Sequence, residues 1–327
     1  MRAWRLHELG DPAEVLRLEE VESPSPGPGQ VRVAVAAAGL NFFDDLVCRG
    51  QYQDRPALPF TPGAEFVGRI LEAGEGVEAA VDTRVVGLAT WPAGSLAEEA
   101  LGDRRMVFEV PESMPDDTAA GFLVTYGTAH AALHRRARLQ AGQTLLVHAG
   151  AGGVGSAAVQ LGVAAGARVL ATAGGPDKVE VCRKLGAARA IDYRSEDFVS
   201  VVKEETAGRG ADVILDPVGG DVFDRSLRCI AWEGRLVVVG FTSGRIPSPP
   251  ANLVLLKNMS VVGIAWGAYL NHDPGLFGEI HADLLRLYAA GKVDPLVHAV
   301  LPLEEAPRGL ADLTSRRTVG KVVIRPA

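Results

Sequence analysis

A glycine-rich segment has the residue types and spacing of a phosphate-binding turn. The apolar run 145–149 is followed at once by Gly150-x-Gly152-x-x-Gly155, and small residues with helical spacing continue to Gln160. A strand that turns directly into a helix presents the free N–H groups and positive end of that helix, which suit a pyrophosphate. We assign Gly150 to the tight turn, Gly152 to phosphate approach and Gly155 to helix–strand packing. The alternative is a purely structural turn, but this order of strand, motif and helix predicts dinucleotide binding.

The residues after the next strand, Arg168–Ala173, predict which dinucleotide is bound. An NAD site usually carries Asp or Glu near that strand end, where the carboxylate accepts from the ribose 2′-hydroxyl. This chain has Gly174-Gly175-Pro176-Asp177-Lys178 instead, so a cation follows and Asp177 lies a turn late, in a position to cap the helix. Tyr193 and Arg194 follow the third strand and add a hydroxyl and a second positive charge. These changes favour a 2′-phosphate and hence NADPH over NADH, although lone basic residues are usually solvated.

Composition and charge are those of an ordinary globular protein. The chain has 327 residues, a length that is enough for two domains and a sizeable core. Of these residues, 47% are hydrophobic and 22% are charged, as in ordinary soluble domains. A net charge of −7 argues against nucleic acid or an anionic membrane as a partner. The first residues lack the apolar core of a signal peptide and no apolar run could span a bilayer, so a cytoplasmic location is expected. Cys48, Cys182 and Cys229 form an odd, widely spaced set that favours buried reduced thiols.

The order of strand-like and helical runs predicts the fold. Residues 1 to about 118 contain strand-like runs broken by glycine and proline: 31–37, 66–71, 84–88 and 106–110. A helical stretch over 117–136 follows. Six strand-like runs then alternate with helical runs: 145–149, 168–173, 190–192, 212–216, 235–240 and 260–265. This alternation predicts an α/β fold with a doubly wound, parallel six-stranded Rossmann sheet. A helix near 278–290 and a last strand, Lys321–Arg325, return to mixed character, so the first domain is expected to be discontinuous.

Short motifs in a fixed order extend over nearly the whole chain. They are AGLNFFD at 38–44, RGQY at 49–52, PGAEFVG at 62–68, TYGTAHA at 125–131, AGAGGVG at 149–155, DPVGG at 216–220, GF at 240–241, KNMSVVG at 257–263 and TSRRTVGK at 314–321. Together they resemble the zinc-free, zeta-crystallin-like quinone oxidoreductases of the medium-chain dehydrogenase/reductase superfamily. The resemblance implies a Rossmann dinucleotide-binding domain at 119–266 and a β-rich, GroES-like catalytic domain at 1–118 and 267–327.

The resemblance also implies that no metal is bound. Zinc-dependent relatives carry a cysteine where this chain has Asn41, a histidine where it has Ala64 and another cysteine near Leu123. Those side chains are the three protein ligands of the catalytic zinc in such relatives. Three histidines without metal-ligand spacing are expected to be packed or exposed: His130, His134 and His148.

The same resemblance implies which residues contact ligands. Asn41 is expected near the nicotinamide ribose, and Tyr52 is expected to line the acceptor pocket and to donate a proton or only a hydrogen bond. The alternative for Tyr52 is an aromatic that covers a loop. Many relatives have a second tyrosine where this chain has Leu46, which implies a more apolar pocket. The other expected cofactor contacts are Thr125, Gly150, Gly152, Gly153, Val154, Gly155, Gly174, Lys178, Tyr193, Arg194, Asp216, Val218, Gly240, Phe241 and Arg316.

These expectations predict an NADPH-dependent quinone oxidoreductase that acts without zinc on a quinone or conjugated enone. Without a Lewis acid a simple ketone is hard to reduce, whereas a conjugated acceptor spreads the incoming charge over its π-system. An enoyl-thioester (acyl-CoA) or 2-alkenal reductase on the same scaffold is the nearest alternative. A crystallin-like structural or RNA-binding protein is the alternative of another class. The resemblance further implies a homodimer that pairs the strand at 260–265 across a two-fold axis.

Overall fold

The computed structural model describes residues 1–326, which divide into two compact units. The first unit contains Met1–Val124, Leu270–Leu285 and the chain from Pro295 onward. The second unit contains Thr125–Tyr269 and Arg286–Asp294. The first unit is therefore discontinuous in sequence.

The described part of the chain forms fourteen strands and twelve α-helices. The strands are β1 (Arg2–Leu6), β2 (Leu16–Glu20), β3 (Gln30–Gly39), β4 (Glu65–Ala73), β5 (Arg84–Ala89), β6 (Glu99–Glu109), β7 (Thr144–Val147), β8 (Arg168–Ala173), β9 (Arg189–Asp192), β10 (Ala211–Asp216), β11 (Ile230–Val238), β12 (Ser260–Gly263), β13 (Val297–Pro302) and β14 (Lys321–Arg325). The helices are α1 (Pro12–Val15), α2 (Phe42–Cys48), α3 (Asp116–Ala119), α4 (Leu123–His130), α5 (Gly153–Ala164), α6 (Pro176–Lys184), α7 (Phe198–Glu205), α8 (Gly220–Ser226), α9 (Ala251–Lys257), α10 (Tyr269–His272), α11 (Gly275–Ala289) and α12 (Ala306–Thr314).

The sheet of the second unit consists of six parallel strands in the order β12-β11-β10-β7-β8-β9. Every residue of the central strand β7 is buried, and all but one residue of β10 are buried. Strands of a parallel sheet are apolar throughout because helices cover both faces. The strand order is that of the doubly wound Rossmann fold, whose direction of winding reverses beside the first strand, here β7. The predicted fold class is confirmed.

One strand of this sheet begins earlier than predicted. The sequence predicted a strand at 235–240, whereas β11 runs over Ile230–Val238 and pairs Ile230 with Ala211 of β10. Glu233 adopts a left-handed conformation with φ of 56°, which interrupts the strand-like pattern before Arg235. The apolar run after this interruption was therefore the only part that the pattern identified.

The sheet of the first unit is mixed and closes on itself. Its order is β13-β14-β3-β4-β5-β6, and β3 pairs with β6 as well as with β4. Along β3, Val31, Val33 and Val35 are buried and alternate with partly exposed residues, as a strand with one face on the core requires. This closed sheet confirms the predicted β-rich, GroES-like architecture.

Charged residues hid β1, β2 and the first half of β6 from the sequence analysis. β1 and β2 pair with each other and bring Arg5 opposite Arg17, and neither shows a clear apolar alternation. β6 begins at Glu99 rather than near Met106, because charged residues at 103–105 mask its first half. β13 was not predicted either.

The helical stretch predicted over 117–136 is not one helix. α3 ends at Ala119, α4 starts at Leu123, and a π-helical turn over Ala131–Arg136 follows α4. Gly121 lies in the break, where a Cβ would be 3.0 Å from Cγ of Lys321. Helical spacing of apolar residues does not reveal such a break, because both flanking segments keep that spacing.

Each unit has its own apolar core. Phe60, Phe66 and Leu96 are fully buried in the first unit, and Leu146 and Ile214 are fully buried in the second. The three cysteines are free and buried, as predicted. Between residues 1 and 326 no helix is both long and apolar enough to cross a membrane.

Candidate active site

The glycine-rich segment forms a turn at the carboxyl end of β7. The strand ends at Val147, and α5 begins at Gly153 with Gly152 as its N-cap. Gly152, Gly153 and Val154 are partly exposed, whereas the first and last glycines of the motif are buried. Because the first N–H groups of α5 have no partner within the helix, this exposed end of the turn can bind an anionic group.

The contacts that a Cβ atom would make at each glycine of this motif show why a glycine is needed there. A Cβ on Gly155 would lie 2.0 Å from the carbonyl oxygen of Ala149, so close packing requires glycine there. A Cβ on Gly152 would meet only that same carbonyl oxygen, at 3.3 Å, so this glycine leaves open space for a ligand. The tight turn differs from our assignment, because its left-handed residue is Ala149, with φ of 52°. Gly150 is needed for packing instead, since its Cβ would lie 2.9 Å from Cβ of Ala171.

His148, directly after β7, is a buried cross-link beneath this turn. Its Nδ1 is 3.0 Å from Oγ1 of Thr172 on β8, and its Nε2 is 2.8 Å from Oγ of Ser226 on α8. Burial lowers the pKa of the imidazole to about 3, and the guanidinium of Arg225 contributes to the decrease. His148 is therefore neutral at physiological pH and holds three elements together at the carboxyl edge of the sheet.

Residues that follow β8 and β9 meet in one place, which we call the Lys178 cluster: Gly174, Lys178, Tyr193 and Arg194. A Cβ on Gly174 would lie 2.5 Å from Oη of Tyr193 and 3.2 Å from Nε of Arg194. Burial lowers the pKa of the Lys178 ammonium, and the nearby Arg194 guanidinium lowers it further. A bound phosphate would offset both effects, so two cations and a hydroxyl at this position suit the 2′-phosphate of NADPH.

Asp192 joins the two halves of the Lys178 cluster, and the sequence analysis gave it no role. Its Oδ1 accepts hydrogen bonds from the backbone N–H of Gly175 at 2.9 Å and of Arg194 at 3.0 Å. These N–H groups hold the pKa of the carboxyl below its usual range. Asp177 does not cap α6, whose N-cap is Gly175 with φ of 94°, a conformation that favours glycine. An Asp two residues before a turn residue was a usable local signal for this contact.

Asp216, at the end of β10, supports the loop that follows it. Its Oδ1 accepts from the N–H of Val218 at 2.8 Å and of Gly219 at 3.0 Å. Burial raises the pKa of this carboxyl, whereas the two N–H groups lower it. Its Oδ2 is buried and has no hydrogen-bond partner among the described residues. Asp216 therefore fixes the backbone of Val218 and retains one oxygen that can accept a further hydrogen bond.

The loop after β11 is joined to the loop after β10. The N–H of Ser243 donates to the carbonyl of Val218 at 3.0 Å, and a Cβ on Gly219 would lie 3.0 Å from Cδ1 of Phe241. Phe241 is 37% exposed, and Gly240 beside it is half-buried. The structure thus brings Val218, Gly240 and Phe241 together at the carboxyl edge of the parallel sheet, where this fold class binds ligands.

Two further expected cofactor contacts lie in other elements. Thr125 is buried within α4, in the second unit. Arg316 is exposed in the first unit, just after α12, and has a left-handed φ of 58°. Their contacts with a cofactor remain a prediction.

Asn41 immediately precedes α2 in the first unit and is embedded in a polar network. Its backbone N–H donates to Oδ2 of Asp44 at 2.7 Å. Its side-chain Oδ1 accepts from Nζ of Lys321 at 2.7 Å, and Nδ2 donates to the carbonyl of Gly39 at 3.0 Å. Burial raises the pKa of Asp44 to about 7, and the N–H of Asn41 opposes that increase. The sequence analysis gave no role to Asp44 or Lys321, although an acid three residues after Asn41 is a local capping signal.

Tyr52 is half-buried and stacks on Phe43, with ring centroids 5.2 Å apart and an interplanar angle of 23°. Burial raises the pKa of its hydroxyl, and the charges of Asp54 and Asp44 raise it further. The phenol therefore stays protonated at neutral pH and can donate a hydrogen bond. Leu46, on α2, is also half-buried.

At the three positions where related zinc enzymes carry their metal ligands, this chain has no side chain that is available to bind zinc. Ala64 and Leu123 are buried apolar residues, and Lys321 places an ammonium 2.7 Å from the side-chain oxygen of Asn41. A second cation at that oxygen would be repelled. Throughout residues 1–326 no group of three or more His, Cys, Asp or Glu side chains could hold a metal ion. The residues present do not fit a zinc ion.

Known proteins resemble this chain in sequence and in fold. Residues 27–131 match the profile of an alcohol dehydrogenase GroES-like domain, and residues 153–282 match that of a zinc-binding dehydrogenase. A quinone oxidoreductase-like protein 2 homolog of Nematostella vectensis is 41% identical over 326 residues, which cover 99% of this chain and 88% of the relative. Escherichia coli quinone oxidoreductase complexed with NADPH matches with a TM-score of 0.92 and 29% identity, covering 100% of both chains. The CurK enoyl reductase matches with a TM-score of 0.89 and 30% identity, covering 99% of this chain and 98% of the other.

Proposed function

Because the chain belongs to the zinc-free quinone oxidoreductase branch of the medium-chain dehydrogenase/reductase superfamily, we propose that it is an NADPH-dependent quinone oxidoreductase. The observation that carries the proposal is the Lys178 cluster beside the glycine-rich turn, because it suits a dinucleotide with an additional phosphate. The similar E. coli enzyme was solved with NADPH and is a quinone oxidoreductase.

The second unit binds the phosphates of the cofactor in this proposal. The exposed N–H groups at Gly153 and Val154 bind the pyrophosphate, and Gly152 leaves room for it. Lys178 and Arg194 bind the 2′-phosphate by charge-assisted hydrogen bonds. When bound, NADPH supplies a hydride, that is, two electrons and one proton, to the quinone or enone.

Residues of the first unit position the acceptor and stabilise its developing charge. Tyr52 and Phe43 form an aromatic surface on which a flat quinone or enone can stack. The Tyr52 hydroxyl, kept protonated by its raised pKa, donates a hydrogen bond to the oxygen that becomes negative. The reduced acceptor gains one proton, from Tyr52 or from water, and the products are the hydroquinone and the oxidised cofactor.

Enoyl-thioester or 2-alkenal reduction is the second candidate. The similarity to the CurK enoyl reductase favours it, at 30% identity over 99% of this chain. Hydride would then add to the β-carbon of the enone, and a proton would go to the α-carbon. Directed protonation at carbon demands more of the protein than protonation of a quinone oxygen, so the two candidates differ in their dependence on Tyr52.

A panel of acceptors tests this proposal. NADPH oxidation by the purified protein would be followed with quinones, 2-alkenals and enoyl-CoA thioesters, and parallel reactions would use NADH. We expect the highest kcat/KM with NADPH and a quinone. A preference of more than about tenfold for an enoyl thioester, about 1.4 kcal/mol of transition-state stabilisation, would transfer the assignment to the second candidate. No NADPH oxidation with any acceptor would refute both.

We also propose that the protein is a cytoplasmic homodimer. β12 is an edge strand of the parallel sheet, and Val261 and Val262 on it are only half-buried. The preceding helix, α9, exposes 74% of Leu255 and 66% of Leu256. An exposed apolar edge strand invites pairing with a second copy. Analytical ultracentrifugation should find a dimer in the parent protein and a monomer after Val261→Lys, and a monomeric parent protein would contradict this proposal.

A further inference from the structure

Four buried polar side chains of the first unit are joined by hydrogen bonds and form what we call the Asn41 cluster: Asn41, Asp44, Glu65 and Lys321. Their exposed fractions are 6%, 1%, 0% and 3%, respectively. Two carboxyls and an ammonium removed from water are costly unless they are paired. Because this cluster includes Asn41, a candidate cofactor contact, it calls for a functional explanation as well as a structural one.

Glu65 and Lys321 form the ion pair of the Asn41 cluster. Nζ of Lys321 is 3.0 Å from Oε2 of Glu65 and donates to Oδ1 of Asn41 at 2.7 Å. The other carboxylate oxygen of Glu65, Oε1, accepts from the backbone N–H of Val124 at 2.8 Å, near the start of α4. Both charged groups thus have partners, and the pair is anchored to β4, β14 and α4 rather than to mobile surface residues.

This ion pair determines which way the Asn41 amide points. A lysine ammonium only donates, so the amide atom 2.7 Å from it must be the oxygen. The backbone carbonyl of Gly39 only accepts, so the amide atom 3.0 Å from it must be the nitrogen. Exchanging the two atoms would place two donors against each other and two acceptors against each other. The surrounding groups therefore define the orientation without ambiguity.

The fixed amide has only one kind of hydrogen-bonding capacity left. One N–H of Nδ2 is used by Gly39, and the other points to Oε2 of Glu65 at 3.5 Å. The oxygen of Asn41 accepts one bond from Lys321 and keeps a second lone pair. Asn41 can therefore accept a hydrogen bond from a ligand but cannot donate one.

We infer that Lys321 is a positioning residue that makes Asn41 a hydrogen-bond acceptor for a ribose hydroxyl of the cofactor. This inference rests on the proposed function, because it takes Asn41 as the contact of the nicotinamide ribose. A ribose hydroxyl can donate a hydrogen bond to Asn41, whereas the oxyanion formed when the quinone or enone is reduced cannot. Asn41 therefore serves cofactor binding, and the donor to the oxyanion must be another group, for which Tyr52 is the candidate.

Cofactor analogues test this polarity directly. Binding of NADPH would be compared with binding of its 2′-deoxy-2′-fluoro and 3′-deoxy-3′-fluoro forms, modified only on the nicotinamide ribose, by titrating the cofactor fluorescence. A hydroxyl both donates and accepts, whereas fluorine can accept a hydrogen bond but cannot donate one. We expect the parent protein to bind one of the two analogues about three- to tenfold more weakly than NADPH, the effect of losing one neutral hydrogen bond. Lys321→Met should weaken NADPH binding and abolish the difference between NADPH and that analogue, because the amide is then free to turn its N–H groups outward.

The variants must distinguish the loss of the Asn41 orientation from a loss of folding. Lys321→Met alone leaves the Glu65 carboxylate buried without its cation, which can unfold the protein. The double variant Lys321→Met with Glu65→Gln removes both charges and keeps an acceptor for the Val124 N–H, so it should fold and should still show no discrimination. Lys203→Met, on the exposed face of α7, is the matched control and should bind all three ligands as the parent does.

Two results would overturn the inference. One is equal affinity of the parent protein for NADPH and both deoxyfluoro analogues, which would leave Asn41 without a ribose hydroxyl to accept from, whether or not the variants fold. The other is a folded double variant that keeps the discrimination of the parent. Cofactor binding is measured without a quinone or enone. The inference can therefore hold even if quinone reduction is not found, so a failure of the inference can be distinguished from a failure of the proposed function.

Discussion

The carboxylate of Asp192 accepts a hydrogen bond from the backbone N–H of Gly175, 2.9 Å away, and so joins the end of β9 to the start of α6. The same oxygen accepts from the N–H of Arg194 at 3.0 Å. The start of α6, which carries Lys178, and the turn after β9, which carries Arg194, are thereby held in fixed relation. An acid that would repel a 2′-phosphate if it faced the ligand is instead bound to backbone N–H groups.

Lys178→Ala should change the choice of cofactor. One charge-assisted hydrogen bond contributes about 1.5–3 kcal/mol, so the KM for NADPH should rise roughly ten- to hundredfold. The KM for NADH should stay nearly unchanged, because NADH has no phosphate at that position. Lys184→Ala, an exposed lysine at the other end of α6, is the control and should alter neither value. Equal weakening of both cofactors would show that Lys178 is structural.

Tyr52→Phe should slow quinone reduction by about tenfold or less, the equivalent of one hydrogen bond of about 0.5–1.5 kcal/mol. Water can protonate the delocalised anion of a reduced quinone, and phenylalanine preserves the stacking on Phe43. The measurement is kcat with a quinone at saturating NADPH, with Tyr288→Phe on α11 as a control. A decrease of more than about a thousandfold, within the range of general acid catalysis, would make Tyr52 an obligate acid and would favour enone or enoyl-thioester reduction.

Prolonged chelation should leave turnover unchanged. Apolar residues stand at two of the three positions where zinc relatives have ligands, and the ammonium of Lys321 lies 2.7 Å from the side-chain oxygen at the third, Asn41. The check is elemental analysis of the purified protein together with activity before and after dialysis against a strong chelator. Stoichiometric zinc, lost in parallel with activity, would end the zinc-independent assignment.

His148 should make folding stability sensitive to mild acid. Its pKa of about 3 in the folded protein lies below the ordinary value of 6.5, so the unfolded chain binds the proton first. The contribution is fully present above about pH 6.5 and is lost as the pH falls toward 3, at up to about 1.4 kcal/mol per pH unit. Chemical denaturation between pH 7 and 4 should show a smaller loss of unfolding free energy for His148→Gln than for the parent.

The exposed His272 provides the comparison for that experiment. His272→Gln should retain the acid sensitivity of the parent protein, because this exposed side chain takes no part in the hydrogen bonds of His148. If His148→Gln and the parent lost unfolding free energy equally over this interval, the imidazole of His148 would not be the buried neutral group described above.

Local sequence determined the parts of this protein that neighbouring residues control. The apolar run, the glycines and the small-residue helix that follow one another at 145–160 lie within a few residues of each other, so their order predicts a strand, a turn and a helix. The regular alternation of such elements then predicted the parallel sheet and its fold class. The positions of Gly174 and Lys178 after β8, with Tyr193 and Arg194 after β9, predicted the cationic cluster, because parallel strands end at one edge.

Only the tertiary structure decided which side chains contact one another across the chain. Lys321 lies 280 residues from Asn41 and 256 from Glu65, and no spacing rule relates residues that far apart. The same is true of His148, whose partner Ser226 is 78 residues away. Ala149, not Gly150, adopts the left-handed conformation of the turn, and packing leaves no room for a side chain at Gly150. Sequence patterns record local backbone preference and burial, whereas the direction of an amide or the neutrality of an imidazole depends on partners that only the folded chain brings together.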